Sequence, residues 1–411
     1  MKIPRVKIYL KFRIFLKSMF SNLEISKKEL SDYLKIKLNK SYINFFGMCR
    51  TCFIVILEFL KEKNLKKNEI LICAYNLEEM VEIAKLLKFE TKFIDINANS
   101  GVIDFNLIKN NTSEKTSAIL FTNMFNRYED LIELKNFCKN QDILLIEDLA
   151  IYFGNFSLVE NKKIYAGSIA DVSILSFGIM KNVSAIYGGA MLTSNLEIYN
   201  FASNLEKNYK NFPIYLYVKK FFLFIILKIF LSKLIYNFFF FYVIKIAKLK
   251  EIKKLLNIIY PSFAFKIKSD IPIEYFSKIP NLSIKIINNI IKDNDFEIDK
   301  EKRKINNLYY SKLLKNNLNV KIINIIDPDF QNFLDYPILI KNKKELVNYL
   351  MIKGLETRYH FYSNCEKNYN SNDCKNSESF EKELICLPSH SDISKDKIEY
   401  YCREINKFYE G

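Results

Sequence analysis

From Asn44 onward the chain alternates short apolar runs with longer helical stretches, which commits it to an α/β sheet joined by crossovers. The loop Phe46-Gly47-Met48-Cys49-Arg50 leads into a helix over 51–63. A strand at 69–75 (EILICAY) precedes a helix at 77–89 and a strand at 91–96. Further strands fall at 117–123, 142–148 and 171–177, with a helix between about 129 and 139. A charged helix at 298–316 opens a mixed tail containing DYPILI, a helix at 343–353 and a last helix at 394–408. Residues 363–379, rich in Asn, Ser, Lys and Glu, read as a loop. The expected fold is α/β: a mostly parallel central sheet with helices on both faces, then a smaller α+β C-terminal domain. A length of 411 residues suits two domains, and a chain 49% apolar and 26% charged is not disordered throughout.

Glycine is scarce. There are nine, where average usage of about 7% would give roughly 29. Five of them (Gly154, Gly167, Gly178, Gly188, Gly189) fall within 36 residues, so the backbone needs them there and the chemistry is expected there.

The charge is equally uneven. The chain carries +16, but residues 207–268 hold thirteen lysines against Glu251 alone, a local +12 that leaves +4 for everything else. One local basic surface is implied, and nucleic-acid binding is disfavoured because the charge sits in a phenylalanine-rich apolar stretch without a groove-reading helix. Residues 221–244 read FFLFIILKIFLSKLIYNFFFFYVI. Two lysines near the midpoint would cost about 2.5–3.5 kcal/mol each in a spanning helix, so two short helices broken at Ser232-Lys233 are expected. Such a pair over 214–250 can lie at an anionic bilayer surface, or pack as a buried hairpin or subunit interface. The first twenty residues carry six basic groups and no acid without a continuous apolar core, which reads as a basic amphipathic helix and not a signal peptide. With eight cysteines, too few for a disulfide scaffold, the expected location is cytoplasmic, peripheral to the inner face of a membrane.

Three places can do chemistry. Ser176-Phe177-Gly178-Ile179-Met180-Lys181, followed by Tyr187-Gly188-Gly189, brings a hydroxyl and an amine to the carboxyl end of a strand, where α/β sheets bind ligands. A desolvated lysine there has a lowered pKa and forms Schiff bases. Asp148 ends the buried strand ILLIE and can hold a cationic heterocycle, while Glu147 points to the opposite face. Gly47-Met48-Cys49-Arg50-Thr51 opens an apolar helix and suits a phosphate. Cys49 and Cys52 lack a second ligand pair, so no metal is expected, and His360 and His390 are too far apart in sequence to suggest a catalytic pair.

Taken in order, FGMCRTCFIVIL, EILICAY…KFIDIN, LLIEDLAIYFGN, GSIADVSILSFGIMKNVSAIYGGAMLTSN, GLETRYHF and CLPSHSDIS resemble the DegT/DnrJ/EryC1/StrS family of sugar aminotransferases, of the aspartate aminotransferase fold type I. The resemblance covers roughly 40–200 and 275–411. It implies pyridoxal 5'-phosphate (PLP) as cofactor, with Lys181 as the Schiff-base lysine and proton carrier. Asp148 would pair with the pyridine nitrogen, Ser176, Arg50 and Thr51 would hold the phosphate, and Tyr75 would lie near the position covering the ring. It implies transfer of an amino group, usually from glutamate, to a keto group of a nucleotide-linked sugar in amino-sugar and surface-glycan synthesis, by a homodimer. The domains would be a basic N-terminal segment (1–30), a large PLP-binding domain (31–275, with the insertion 207–268) and a small domain (276–411).

Several positions depart from the family pattern. Ile151 stands where Gln or His often contacts the cofactor, and Met48-Cys49 replaces Ser-Gly in the phosphate loop. Leu77 replaces the expected aromatic, and the asparagine that a neighbouring subunit often lends to the phosphate has no match. Retention of Lys181 disfavours the dehydrating relatives that carry histidine there. These departures leave a second reading open, a non-catalytic family member serving as a membrane-associated scaffold.

Overall fold

A computed structural model describes residues 2–124, 128–259, 268–323, 333–359, 362–369 and 373–410. Seven strands form the main sheet: β1 (Tyr42–Phe46), β2 (Glu69–Cys73), β3 (Glu90–Ile94), β4 (Thr116–Thr122), β5 (Leu144–Asp148), β6 (Val172–Ser176) and β7 (Gly189–Thr193). Their spatial order is β1-β7-β6-β5-β4-β2-β3. The pairs from β6 to β3 are all parallel, and only β7 runs against both of its neighbours. β4 is buried along its whole length, as a strand covered by helices on both faces must be. Side-chain alternation sorts its residues cleanly: Ala118 and Leu120 face one core with Ile70, Ile72, Ile146 and Ile174, whereas Ile119 faces the other with Leu71, Leu145 and Leu175.

The first core is sealed by the helix Cys49–Lys63, whose buried residues run unbroken from Thr51 to Leu57. On the other face lie Phe12–Phe20, Leu23–Leu38 and Asn281–Lys292, whose Ile284, Ile286 and Ile287 join Leu30, Leu34 and Leu38. The basic N-terminal helix is therefore docked and amphipathic. Ile14 and Phe15 are buried, and Arg13 and Lys17 pair with Asp293. A three-stranded antiparallel sheet, β8 (Val320–Ile322), β9 (Tyr336–Ile340) and β10 (Leu384–Leu387), forms the smaller α+β part.

One sequence expectation needs correction. The presumed loop at 363–379 contains, among its described residues, the strand Ser363–Asn364 and the start of a helix, Lys375–Glu383. That helix is capped from outside its own sequence: the Asp95 carboxylate accepts from Asn376 N (2.9 Å), Ser377 N (2.8 Å) and Ser377 Oγ (2.7 Å). No local signal could announce a cap supplied 281 residues away. The basic apolar stretch is broken near Ser232 into two helical runs, as its sequence leads one to expect. It forms the helix Ile214–Phe230, a break at Leu231-Ser232, and a second helical run that passes through a π-turn (Tyr236–Phe240) into Phe241–Leu249. Phe224, Tyr236, Phe241 and Ile244 are buried, while Phe222, Leu234 and Phe238 are 61%, 71% and 80% exposed. Among the described residues, no helix is long and apolar enough to cross a membrane.

Candidate active site

The carboxyl ends of β5 and β6 open onto a cleft of about 240 Å³. Asp148, Ser176 and Lys181 line it together with Met48, Cys49 and Arg50 from the start of the helix that follows β1. A larger open cleft of about 1000 Å³ lies along β1 and contains none of these groups.

The chain holds this constellation with backbone. Phe177 N donates to the Gly188 carbonyl (2.9 Å), Ala185 N to the Phe177 carbonyl (2.8 Å) and Lys181 N to the Gly178 carbonyl (3.0 Å), so the 177–188 loop folds back on the strand that launched it. Gly189 is required by close approach: a Cβ there would lie 2.4 Å from the Met48 carbonyl, the point at which β7 abuts the start of the helix. Gly188 sits at φ +139°, and it bridges Met48.

Asp148 is buried, and its Oδ1 accepts from Ala150 N at 2.8 Å. Burial pushes its pKa up; the Ala150 amide and the positive charges of Lys181 and Arg50 push it down. Burial lowers the pKa of Lys181, against the opposing pull of Asp148. Cys49, also in the lining, is kept a neutral thiol by burial and by the adjacent carboxylate. Arg50 pairs with Glu79, which also takes Lys268 (2.9 Å) and the Tyr275 hydroxyl (3.1 Å). Its Nε is buried without a hydrogen-bond partner. Glu147, one residue before Asp148, faces away and accepts from Asn123 Nδ2 (2.7 Å) and Gly167 N (3.0 Å), with burial pushing its pKa up to about 7.

Two of the six residues singled out from sequence lie outside the cleft lining. Thr51 is buried and its hydroxyl donates to the Tyr275 carbonyl at 2.5 Å. Tyr75 is buried against Phe380 and Tyr362, its hydroxyl accepting from Tyr362 N at 3.3 Å. The wall expected from an aromatic is made instead by Leu77 and Met80. Ile151 is not part of the lining either; it packs against the core, and Ala150 faces the cleft. His360 lies outside the described residues. His390 is buried, with Nε2 3.0 Å from the Pro4 carbonyl, and does not line the cleft. Tyr187, named in the sequence only as part of its motif, and Lys220, which sequence reasoning missed, complete the lining. Tyr187 was legible as part of a glycine-rich turn; Lys220 carried no signal that separates it from its twelve neighbours in the basic stretch.

The residues present fit a phosphorylated, cationic-ring ligand. A buried carboxylate faces an amine across one cleft, and cations crowd the end at which a helix begins, Arg50 keeping one guanidinium N–H unused.

The family model for DegT/DnrJ/EryC1/StrS aminotransferases matches residues 48–210 and 276–406. The chain is 28% identical to the GDP-4-keto-6-deoxy-D-mannose 3-dehydratase of Escherichia coli O55:H7 over 36% of its length and 37% of the relative's. It is 34% identical to the UDP-4-amino-4,6-dideoxy-N-acetyl-beta-L-altrosamine transaminase of Campylobacter jejuni over 26% and 28%. These aligned stretches span only 37% of the first relative and 28% of the second. The fold matches the PLP form of the putative sugar aminotransferase Spr1654 from Streptococcus pneumoniae over 100% of this chain and 98% of that one, with a TM-score of 0.70 at 14% identity. Its mostly parallel sheet is that of the fold type I PLP-dependent transferases.

Proposed function

The chain belongs to the DegT/DnrJ/EryC1/StrS aminotransferase family, and from that premise we propose that it is a PLP-dependent transaminase. It moves an amino group, from glutamate, onto a keto group of a nucleotide-linked sugar. The observation that carries this reading is the meeting of Asp148 and Lys181 on one cleft at the carboxyl edge of the sheet. When bound, PLP supplies an aldehyde that exchanges with amines and a ring that accepts carbanion electrons.

The chain's own residues do the rest. The Asp148 carboxylate, oriented by the Ala150 amide, holds the proton of the pyridine nitrogen. Ser176 and Arg50 would hold the phosphate, beside the start of the helix Cys49–Lys63. Leu77, Met80 and Ile179 give the cleft apolar walls that limit water. Burial lowers the Lys181 pKa, so more of its amine is free to attack a carbonyl and then to shuttle a proton to and from the substrate carbon. On the same reading the chain works as a homodimer, its large domain spanning 31–275 and its small domain 276–411. The exposed face of 214–250 rests on an anionic membrane surface: exposed phenylalanines and leucines there stand beside Lys219, Lys233 and Lys250.

Purified protein incubated with PLP is expected to turn yellow, and borohydride to fix the cofactor on the peptide containing Lys181. Glutamate should bleach the visible band. Lys181→Ala should abolish the fixed adduct and lower turnover by at least about a thousandfold. A wild-type chain that stays colourless and takes up no PLP would refute the assignment.

A further inference from the structure

The helix Ile214–Phe230 reads as an apolar surface element, yet Lys220 on it lines the same cleft as Asp148, Ser176 and Lys181. Its ammonium stands 4.2 Å from the centre of the Tyr187 ring, which keeps it on the cleft side of the helix. The neighbouring Lys219 is exposed and makes no such contact.

Charge accounting within the cleft makes Lys220 the odd member. Asp148 faces Lys181, and Arg50 is paired with Glu79, which Lys268 also engages. Among the described residues, no carboxylate lies within ion-pair distance of Lys220. Burial and the neighbouring cations, Arg50 and Lys181, bring its pKa down to about 8, with Glu79 the one nearby group opposing them. An ammonium placed in such a cavity without a counter-ion is destabilising unless an anion arrives. The cleft's volume is that of one small ligand, and its cationic end adjoins the start of a helix.

We propose that Lys220 binds the phosphate of the cofactor in cis, together with Arg50 and Ser176. This rests on the PLP reading and adds to it a ligand from a part of the chain that the family model does not match, residues 211–275. The apolar helix thus supplies from within the chain the contact that no neighbouring-subunit asparagine could be matched to supply. A phosphoryl group could also come from a nucleotide-sugar diphosphate. The position of Lys220 on the cleft that holds Asp148 and Lys181 assigns it to the cofactor.

The test uses the full-length apoprotein in equilibrium dialysis against PLP and against pyridoxal, which lacks the phosphate. Lys220→Met should raise the Kd for PLP about ten- to a hundredfold and leave pyridoxal within twofold; Lys220→Arg should restore most of the difference, and Lys219→Met should change neither. Equal weakening of PLP and pyridoxal would mean a structural role and overturn the proposal, as would an unchanged PLP Kd. Unchanged PLP binding with weakened binding of UDP or GDP to the holoenzyme would move Lys220 to the substrate diphosphate, which also overturns it. A wild type that binds no PLP takes down the functional reading and this proposal together, whereas a wild type and a Lys220→Met variant that bind PLP alike remove the proposal alone.

Discussion

Two lysines face the cleft from regions of opposite character. Lys181 follows a buried strand and hangs on a loop pinned by backbone and side-chain hydrogen bonds, among them Ser184 Oγ to the Ile179 carbonyl at 2.8 Å. Lys220 projects from a helix whose other side exposes Phe222, Leu223, Ile226 and Ile229 to solvent. The strand edge is positioned by the central core, while the arm 214–249 is positioned by a few buried aromatics. Precision at the reacting centre therefore belongs to the sheet, and charge and surface contact belong to the arm.

The sharpest way to break this division is at Asp148. Asp148→Asn preserves shape and removes only the charge, so the rate at which glutamate bleaches the cofactor band should fall by at least about a hundredfold while thermal stability holds. An activity loss under about threefold would show that the strand edge does not set the chemistry.

A smaller effect is expected inside the arm. Lys248 is buried, its ammonium 4.1 Å from the Tyr359 ring with no hydrogen-bond partner, and burial brings its pKa down to about 7. The unfolded chain, with a lysine near 10.5, binds the extra proton between pH 7 and 10.5, so stability should rise with pH across that window. Lys248→Met should stabilise the protein by about 1–3 kcal/mol at pH 7, and the gain should vanish near pH 10.5 in chemical denaturation. A destabilised variant at pH 7 would mean the arm depends on that charge.

The smallest effect lies on the arm's outer face. Replacing Phe222, Phe238 and Phe239 with Ser should reduce co-sedimentation with anionic vesicles about tenfold and leave PLP affinity unchanged. Vesicle binding that is equal for both proteins would return the face to a protein partner.

Much of this division was legible in the residues. Alternating apolar runs located the sheet, since a strand buried on both faces has few ways to be written, and the clustered glycines marked where β7 abuts a helix start. Asp148, Ser176, Lys181 and Arg50, which the fold brings to one cleft, could be singled out because strand ends and helix starts announce themselves locally. Thr51 and Tyr75 lie outside the cleft lining, which adjacency in sequence could not show because it says nothing about which way a side chain turns: one hydroxyl goes to Tyr275 and the other ring into the core. The helix Lys375–Glu383 was missed because its cap comes from Asp95, and Lys220 because one lysine among thirteen looks like the rest until the chain is folded.

Lys220 and Phe222 are two residues apart on one helix, one turned inward and the other outward. A rigid rod cannot move at one side only. If the rod has two positions that differ both in their hold on a surface outside and on an anion inside, each ligand must change the affinity of the other by one common factor.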